Sequence, residues 1–204
     1  MPDSTDLFSD KAGDWDSRPI PAQISEGVCA AIFEQVDLDP GLTVMDFGAG
    51  TGLICSQLAP KVKEVLAVDI SRAMLEQLAQ KPELQGRVAI RCQDILQQPL
   101  DRRVDLVVSA MAMHHVEDTR ALLTALFEHL EPGGRVALAD LDKEEGDFHP
   151  PGIEGVYHDG FEREPLGALL VEAGFQSPRF VTACEVDREG KSYPIFLVTA
   201  AKPA

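Results

Sequence analysis

Residues 44–52 read Val44-Met45-Asp46-Phe47-Gly48-Ala49-Gly50-Thr51-Gly52, an apolar strand that runs straight into a turn of three glycines. The next residues, 53–59, carry helical apolar spacing, so strand, tight turn and helix follow one another without a gap. Outward from this segment the alternation continues. A second strand is expected at 64–69, a helix at 73–80 with Ser71 as its N-cap, third and fourth strands at 88–92 and 104–109, and a helix at 119–130. After the turn Glu131-Pro132-Gly133-Gly134 a fifth strand covers 135–141. A helix at 163–173 precedes strands at 179–186 and 193–200, which flank the hairpin signal Asp187-Arg188-Glu189-Gly190. The expected fold is α/β: a doubly wound, mostly parallel seven-stranded sheet with helices on both faces and a C-terminal antiparallel hairpin. Right-handed crossovers put a ligand outside the carboxyl ends of the strands, next to the first strand, where the strand order reverses.

The flanks divide simply. Residues 1–18 are polar and acid-rich with Phe8 and Trp15 as their only aromatics, which alone predicts a loosely held arm; 19–41 hold an amphipathic leading helix. Residues 142–160 are rich in Gly, Pro, His and acids and lack either periodicity, so they form a long loop above the carboxyl ends of the strands. With 204 residues, 45% of them hydrophobic, one domain over 1–204 is the expectation.

Composition excludes some partners. Lys and Arg total 18 against 34 Asp and Glu, a formal charge of −16, and such a surface repels phosphate backbones, so no nucleic acid is expected. The first ten residues carry acids where a signal peptide needs basic ones, and no apolar run reaches membrane-spanning length; a cytoplasmic protein, without membrane contact, is expected. Cys29, Cys55, Cys92 and Cys184 lie far apart and read as buried free thiols.

The chemistry is concentrated at strand ends. Glycines at 48, 50 and 52 let the backbone approach a ligand closely, and a helix N-terminus offers amides to an anion. Asp69, ending the second strand, suits the two hydroxyls of a ribose. The spacing Gly48-x-Gly50-x-Gly52 departs from the G-x-G-x-x-G of dinucleotide-binding proteins. Together with the pair Gln93-Asp94 after the third strand, these features resemble the class I S-adenosylmethionine-dependent methyltransferases. The resemblance spans residues 8–200 and takes in Phe8, Lys11, Ala12, Trp15 and Asp16, then Asp105-Leu106-Val107-Val108-Ser109 leading to His114-His115-Val116, then Pro132-Gly133-Gly134 and Ala173-Gly174-Phe175.

The resemblance implies a Rossmann-like sheet and S-adenosylmethionine as cofactor. It places Gly48, Ala49 and Gly50 on the methionine moiety, with Asp46 near its amino group or organising the turn. Asp69 is placed on the ribose, Asp94 and the amide of Ile95 on the adenine, and Ile70 and Met74 against the ring. Ser109, Ala110 and Met111 leave the fourth strand beneath the sulfonium, and Trp15 with Phe8 folds over the cofactor. An Asn- or Asp-Pro-Pro-aromatic run, typical of enzymes acting on base and glutamine nitrogens, is replaced by Ser109-Ala110-Met111-Ala112, which argues against those acceptors.

His115 and His158 are the candidate catalytic side chains, able to orient or deprotonate an acceptor because imidazole titrates near neutrality. Adjacent His114 and His115 point apart and do not form the i, i+4 pair of a helical metal site, so no metal is expected. The expected activity is methyl transfer to a small molecule, by a monomer or homodimer. A non-catalytic module that binds S-adenosylmethionine or S-adenosylhomocysteine, or a protein methyltransferase, are the rival readings. Positioning for in-line displacement supplies most of the rate, so no essential base is required.

Overall fold

The computed structural model describes residues 6–150 and 152–204; residues 1–5 of the expected arm and residue 151 of the expected loop lie outside the described residues. Seven strands form one sheet: β1 (Thr43–Phe47), β2 (Glu64–Asp69), β3 (Val88–Cys92), β4 (Val104–Ala110), β5 (Leu130–Leu141), β6 (Gln176–Arg188) and β7 (Lys191–Ala201). Their order is β3-β2-β1-β4-β5-β7-β6, parallel except where β7 runs antiparallel between β5 and β6. The order reverses between β1 and β4, and a crevice opens above that point.

The helices are α1 (Pro19–Gln35), α2 (Leu53–Leu58), α3 (Arg72–Ala79), α4 (Thr119–Glu128) and α5 (Arg163–Glu172). Proline at the first position presets α1 for helix, and its Val28, Cys29 and Ile32 are buried. Two apolar clusters lie on opposite faces of the sheet. One joins α1 and α2 to alternate residues such as Val44, Val65 and Leu106; the other joins α4 and α5 to the intervening Met45, Leu66 and Val107. This is the two-residue period of strands buried on both sides. Ser71 caps α3 by accepting from the amide of Met74 at 3.2 Å, as its sequence predicts. No helix among the described residues is long and apolar enough to cross a membrane.

Three local expectations need correction. The fifth strand begins at Leu130, not 135, because pairing of Val104 with Leu130 carries the ladder through Pro132-Gly133-Gly134; Gly133 adopts φ +78° and a register shift absorbs the irregularity. Among the four free thiols, Cys29 and Cys55 are buried, but Cys92 is exposed because β3 is an edge of the sheet. The arm, finally, is not loose where it is described. Residues Ser9–Ser17 wind as 3-10 turns against α3, where the Asp6 carboxylate accepts from the Ser71 hydroxyl (2.9 Å) and the Ala73 amide (3.2 Å). The Asp16 carboxylate accepts from the Thr51 hydroxyl and pairs with Lys81 at 2.6 Å. A segment with no core of its own is thus ordered by tertiary contacts.

Candidate functional site

A cavity of about 580 Å³ occupies the crevice at the reversal point, within the range of small-molecule sites. Its floor is the glycine turn. The amides of Gly48 and Ala49 donate to the Val68 carbonyl (2.9 and 3.1 Å), that of Gly50 to Asp69 Oδ2 (2.7 Å) and that of Gly52 to the Ala49 carbonyl (2.8 Å). These four donors are engaged within the fold, so the turn provides room rather than free amides. Gly48 and Gly50 adopt φ +72° and +53°; a Cβ at Gly48 would lie 2.3 Å from the Ala112 Cβ, whereas one at Gly50 would project into open space.

Asp69 stands at the end of β2 beside the turn. Its Oδ1 accepts from the Ser71 amide at 2.8 Å and its Oδ2 from Gly50, which leaves lone pairs on both oxygens for a further donor. Burial raises its pKa against the pull of those backbone amides, with Asp6 adding to the rise, so the carboxylate is under-solvated. Ile70, Met74 and Asp94 line the same end, and Asp94 Oδ1 accepts from the Leu96 amide at 2.9 Å. This arrangement fits a ribose and an adenine: a cradle opened by glycines at 48 and 50, an under-solvated acceptor for a diol, and an apolar wall.

Of the residues singled out from sequence, Trp15, Gly48, Ala49, Gly50, Asp69, Ile70, Met74, Asp94, Ala110, Met111 and His115 all line this cavity. Four others do not. Asp46 is buried behind the turn, where its Oδ2 accepts from the Cys55 thiol at 3.1 Å and burial pushes its pKa up to about 7. Ile95 sits in the core with its side chain 1% exposed. The Ser109 hydroxyl donates to the Phe47 carbonyl at 2.9 Å, tying β4 to β1. His158 donates Nε2–H to the Val116 carbonyl at 3.0 Å, which holds the loop down beside the start of α4.

Met111 adopts φ +58°, a conformation that non-glycine residues rarely take, and its amide donates to the Ala139 carbonyl at 2.9 Å. The strained position turns the chain from β4 into the 3-10 turn Met113–His115. His115 then donates Nδ1–H to the Gly155 carbonyl at 2.5 Å, and its ring and that of Phe8 meet nearly at right angles with centroids 5.2 Å apart. Burial and neighbouring His114 lower its pKa to about 4.

The loop over 142–160 is anchored at its base by Lys143 to Phe161 and Glu144 to Asp159 backbone bonds, both 3.0 Å, and at its far side by the Tyr157 amide on the His114 carbonyl, 3.0 Å. It contributes Phe148, His149 and Tyr157 to the cavity, residues that the aperiodic sequence of the loop did not single out. His114 lines it as well. Its role was missed because adjacency to His115 said nothing about Asp140, 26 residues away, which meets His114 Nδ1 at 2.7 Å.

A model of a methyltransferase domain matches residues 44–134. In sequence the chain is similar to an uncharacterized methyltransferase of Schizosaccharomyces pombe, 32% identical over 158 residues that cover 69% of this chain and 56% of that protein. It is also similar to an arsenite methyltransferase of Halobacterium salinarum, 26% identical over 186 residues that cover 81% of this chain and 48% of that protein. The chain spans about half the length of the curated relatives it matches. Its fold is that of the N-methyltransferase NodS of Bradyrhizobium japonicum, solved in complex with S-adenosyl-L-homocysteine: TM-score 0.72, 17% identity, 98% of this chain and 95% of that one.

Proposed function

We propose that this chain, a member of the class I S-adenosylmethionine-dependent methyltransferase family, transfers the methyl group of that cofactor to a small-molecule acceptor by in-line displacement. One observation carries the reading: a single cavity joins the glycine turn and Asp69 at one end to a space ringed by Phe8, His115, Phe148 and Tyr157 at the other. The first end suits an adenosine and a methionine tail. The second suits an acceptor.

In this reading Asp69 accepts hydrogen bonds from the ribose hydroxyls, Asp94 receives the adenine amino group beside the Ile95 amide, and Ile70 and Met74 hold the ring between them. Gly48, Ala49 and Gly50 admit the methionine moiety, and buried Asp46 organises their turn through Cys55. Ala110 and strained Met111 shape the wall where transfer takes place. When bound, the cofactor supplies a sulfonium methyl group, an electrophile that needs no activation by the protein. What the residues contribute is alignment, worth about 7–11 kcal/mol of barrier when the geometry is right.

Water is excluded from two sides. Trp15 and Phe8 of the arm lie over the cavity, and Leu7 approaches the loop at Gly155, where an added Cβ would lie 2.5 Å from the Leu7 side chain. That double cover supports a small acceptor over a peptide, which would need an open groove. The acidity of the chain, and a cavity lining that holds no Lys or Arg among the described residues, support exclusion of nucleic acid.

The test is calorimetry with S-adenosylmethionine and S-adenosylhomocysteine, followed by incubation with methyl-labelled cofactor and a panel of hydroxyl, amine and thiol compounds. Uptake and transfer of label to a small compound is the expected result. Folded protein that takes up neither compound refutes the proposal, and uptake without transfer to any acceptor reduces the chain to a binding module.

A further inference from the structure

A neutral hydroxyl group that gains a methyl group must lose its proton, and beside the cavity stands a chain of groups able to take one. Asp140, fully buried near the carboxyl end of β5, accepts from His114 Nδ1–H at 2.7 Å and from the backbone amides of His114 (3.1 Å) and Leu141 (2.8 Å). The carboxylate fixes the tautomer of His114, leaving Nε2 with a lone pair. That Nε2 faces Nε2 of His149 at 3.2 Å. Two ring nitrogens so placed share one proton, so His149 presents Nε2–H to His114 and keeps its own Nδ1 as an acceptor. The His114 side chain is 1% exposed, which makes His149 the member of the pair that meets a ligand.

The surroundings select the acceptor. Phe8, Trp15, Phe148 and Tyr157 give the cavity aromatic walls, and among the described residues no Lys or Arg lines it. No lysine or arginine of the lining holds an oxyanion in place there, so the sulfonium of the methyl donor is the cation it would meet. A hydroxyl compound that is neutral at the working pH must lose its proton as it reacts, and an aromatic one matches the walls.

We propose that Asp140, His114 and His149 form a two-imidazole proton relay that deprotonates a neutral aryl hydroxyl in this cavity, so that the acceptor atom is oxygen. The inference rests on the methyl-transfer reading above. The acceptor's O–H bond breaks and its proton passes to His149 Nδ1, while the Nε2 proton of His149 moves to His114 Nε2. The freed oxygen pair forms the new O–CH3 bond as the C–S bond of the methyl donor breaks, its electron pair remaining on sulfur to give a neutral thioether. The positive charge comes to rest on His114 against Asp140, and the proton leaves through His149 to water once the product departs.

Electrostatics agree with this direction of transfer. Burial, then the charges of His114, His115 and Arg188, lowers His149 to about 4, so it is a transit point and not a resting place for charge. For Asp140, burial pulls upward, yet the hydrogen bond of His114 and the charge that imidazole carries when protonated prevail and hold the carboxyl below its ordinary value. His115 lacks such a partner: its Nδ1–H is held by the Gly155 carbonyl, and no carboxylate among the described residues hydrogen-bonds to it. The charged and titratable groups facing the relay are Asp140 from β5, Arg188 from β6, Lys11 from the arm through His115, and the neutral imidazole of His115 itself. His149 is the catalytic residue of the three; His114 and Asp140 position it and receive the proton.

The experiment compares wild type with His149→Ala, a change at a partly exposed loop position, and with Asp140→Asn. Substituted phenols from 4-methylphenol to 4-nitrophenol serve as probes, with transfer of labelled methyl followed from pH 6 to 9. Both variants should lose about 10²–10⁴-fold in kcat on the weakly acidic phenols. The loss should shrink toward unity for nitrophenols already ionised at the assay pH, and variant rates should climb about tenfold per pH unit up to the pKa of the phenol. A structural role would give the same loss across the series, and that result, or no loss in His149→Ala, overturns the relay. Wild-type protein that takes up S-adenosylmethionine in the calorimeter but methylates no phenol overturns this inference alone. Protein that takes up no cofactor overturns the reading beneath it, and the relay falls with it.

Discussion

Alanine at Gly48 and alanine at Gly50 should damage the protein in different ways, although the two glycines stand two residues apart in one turn. Both have positive φ, +72° and +53°, so an L side chain adds about 1–2 kcal/mol of backbone strain at either position. Only at Gly48 does the new Cβ meet an obstacle, the Ala112 Cβ at 2.3 Å, well inside the ~3.5–4 Å of normal carbon contact. Relieving that overlap is overpacking of a fixed site, about 1–3 kcal/mol. Gly48→Ala should thus destabilise by about 2–5 kcal/mol and Gly50→Ala by about 1–2. At roughly 2–4 °C per kcal/mol for a chain of this size, thermal melts should separate the two variants by roughly 2–12 °C. Binding reverses the contrast: the Cβ at Gly50 enters open space in the cavity floor, where the proposed reading puts the methionine tail. Calorimetry should find S-adenosylmethionine affinity down at least about tenfold in Gly50→Ala, a change of ~1.4 kcal/mol. Equal melting temperatures, or a Gly50→Ala protein that binds the cofactor as wild type does, would refute this account of the turn.

Four further outcomes are expected. Asp69→Asn has one carbonyl oxygen where Asp69 serves the amides of both Gly50 and Ser71, so one amide loses its acceptor at about 1–3 kcal/mol; the melting temperature should fall and the cofactor dissociation constant rise by at least about tenfold, and unaltered affinity would remove Asp69 from the site. Trp15→Ala removes part of the cover and should raise the same constant while leaving the sheet intact by circular dichroism; unchanged affinity would reduce the arm to packing. The pH dependence of stability has a computable sign. Burial raises Asp46 to about 7 in the fold, so its contribution is fully present below its unfolded value near 3.8 and is lost as pH rises through 7. The melting temperature of Asp46→Asn relative to wild type should therefore climb between pH 5 and 8. Burial lowers His149 to about 4, so its contribution is present above 6.5 and is lost as pH falls toward 4, and His149→Ala should gain on wild type over that window. A pH-independent difference in either pair would show that the group does not titrate as its surroundings require.

The part of this protein written in the sequence itself is the part governed by local rules. Apolar strands at 43–47, 64–69 and 88–92 need no partner to be recognised, because β-branched runs bounded by turn residues encode their own state, and the structure places them as read. Glycines at 48, 50 and 52 and the acid at 69 were legible for the same reason: a tight turn at a strand end tolerates few residue types. Tertiary structure alone decided what depends on contact between distant segments. It ordered the arm, whose polar sequence holds no core, by lending its acids to Ser71, Ala73 and Thr51. It carried β5 back to Leu130 because a ladder with Val104 outweighs a Pro-Gly-Gly signal. It withdrew Asp46, Ser109 and His158 from the cavity by giving each a partner elsewhere. And it joined His114 to Asp140 and His149, groups 26 and 35 residues away, since the direction of a side chain is fixed by packing and not by spacing along the chain.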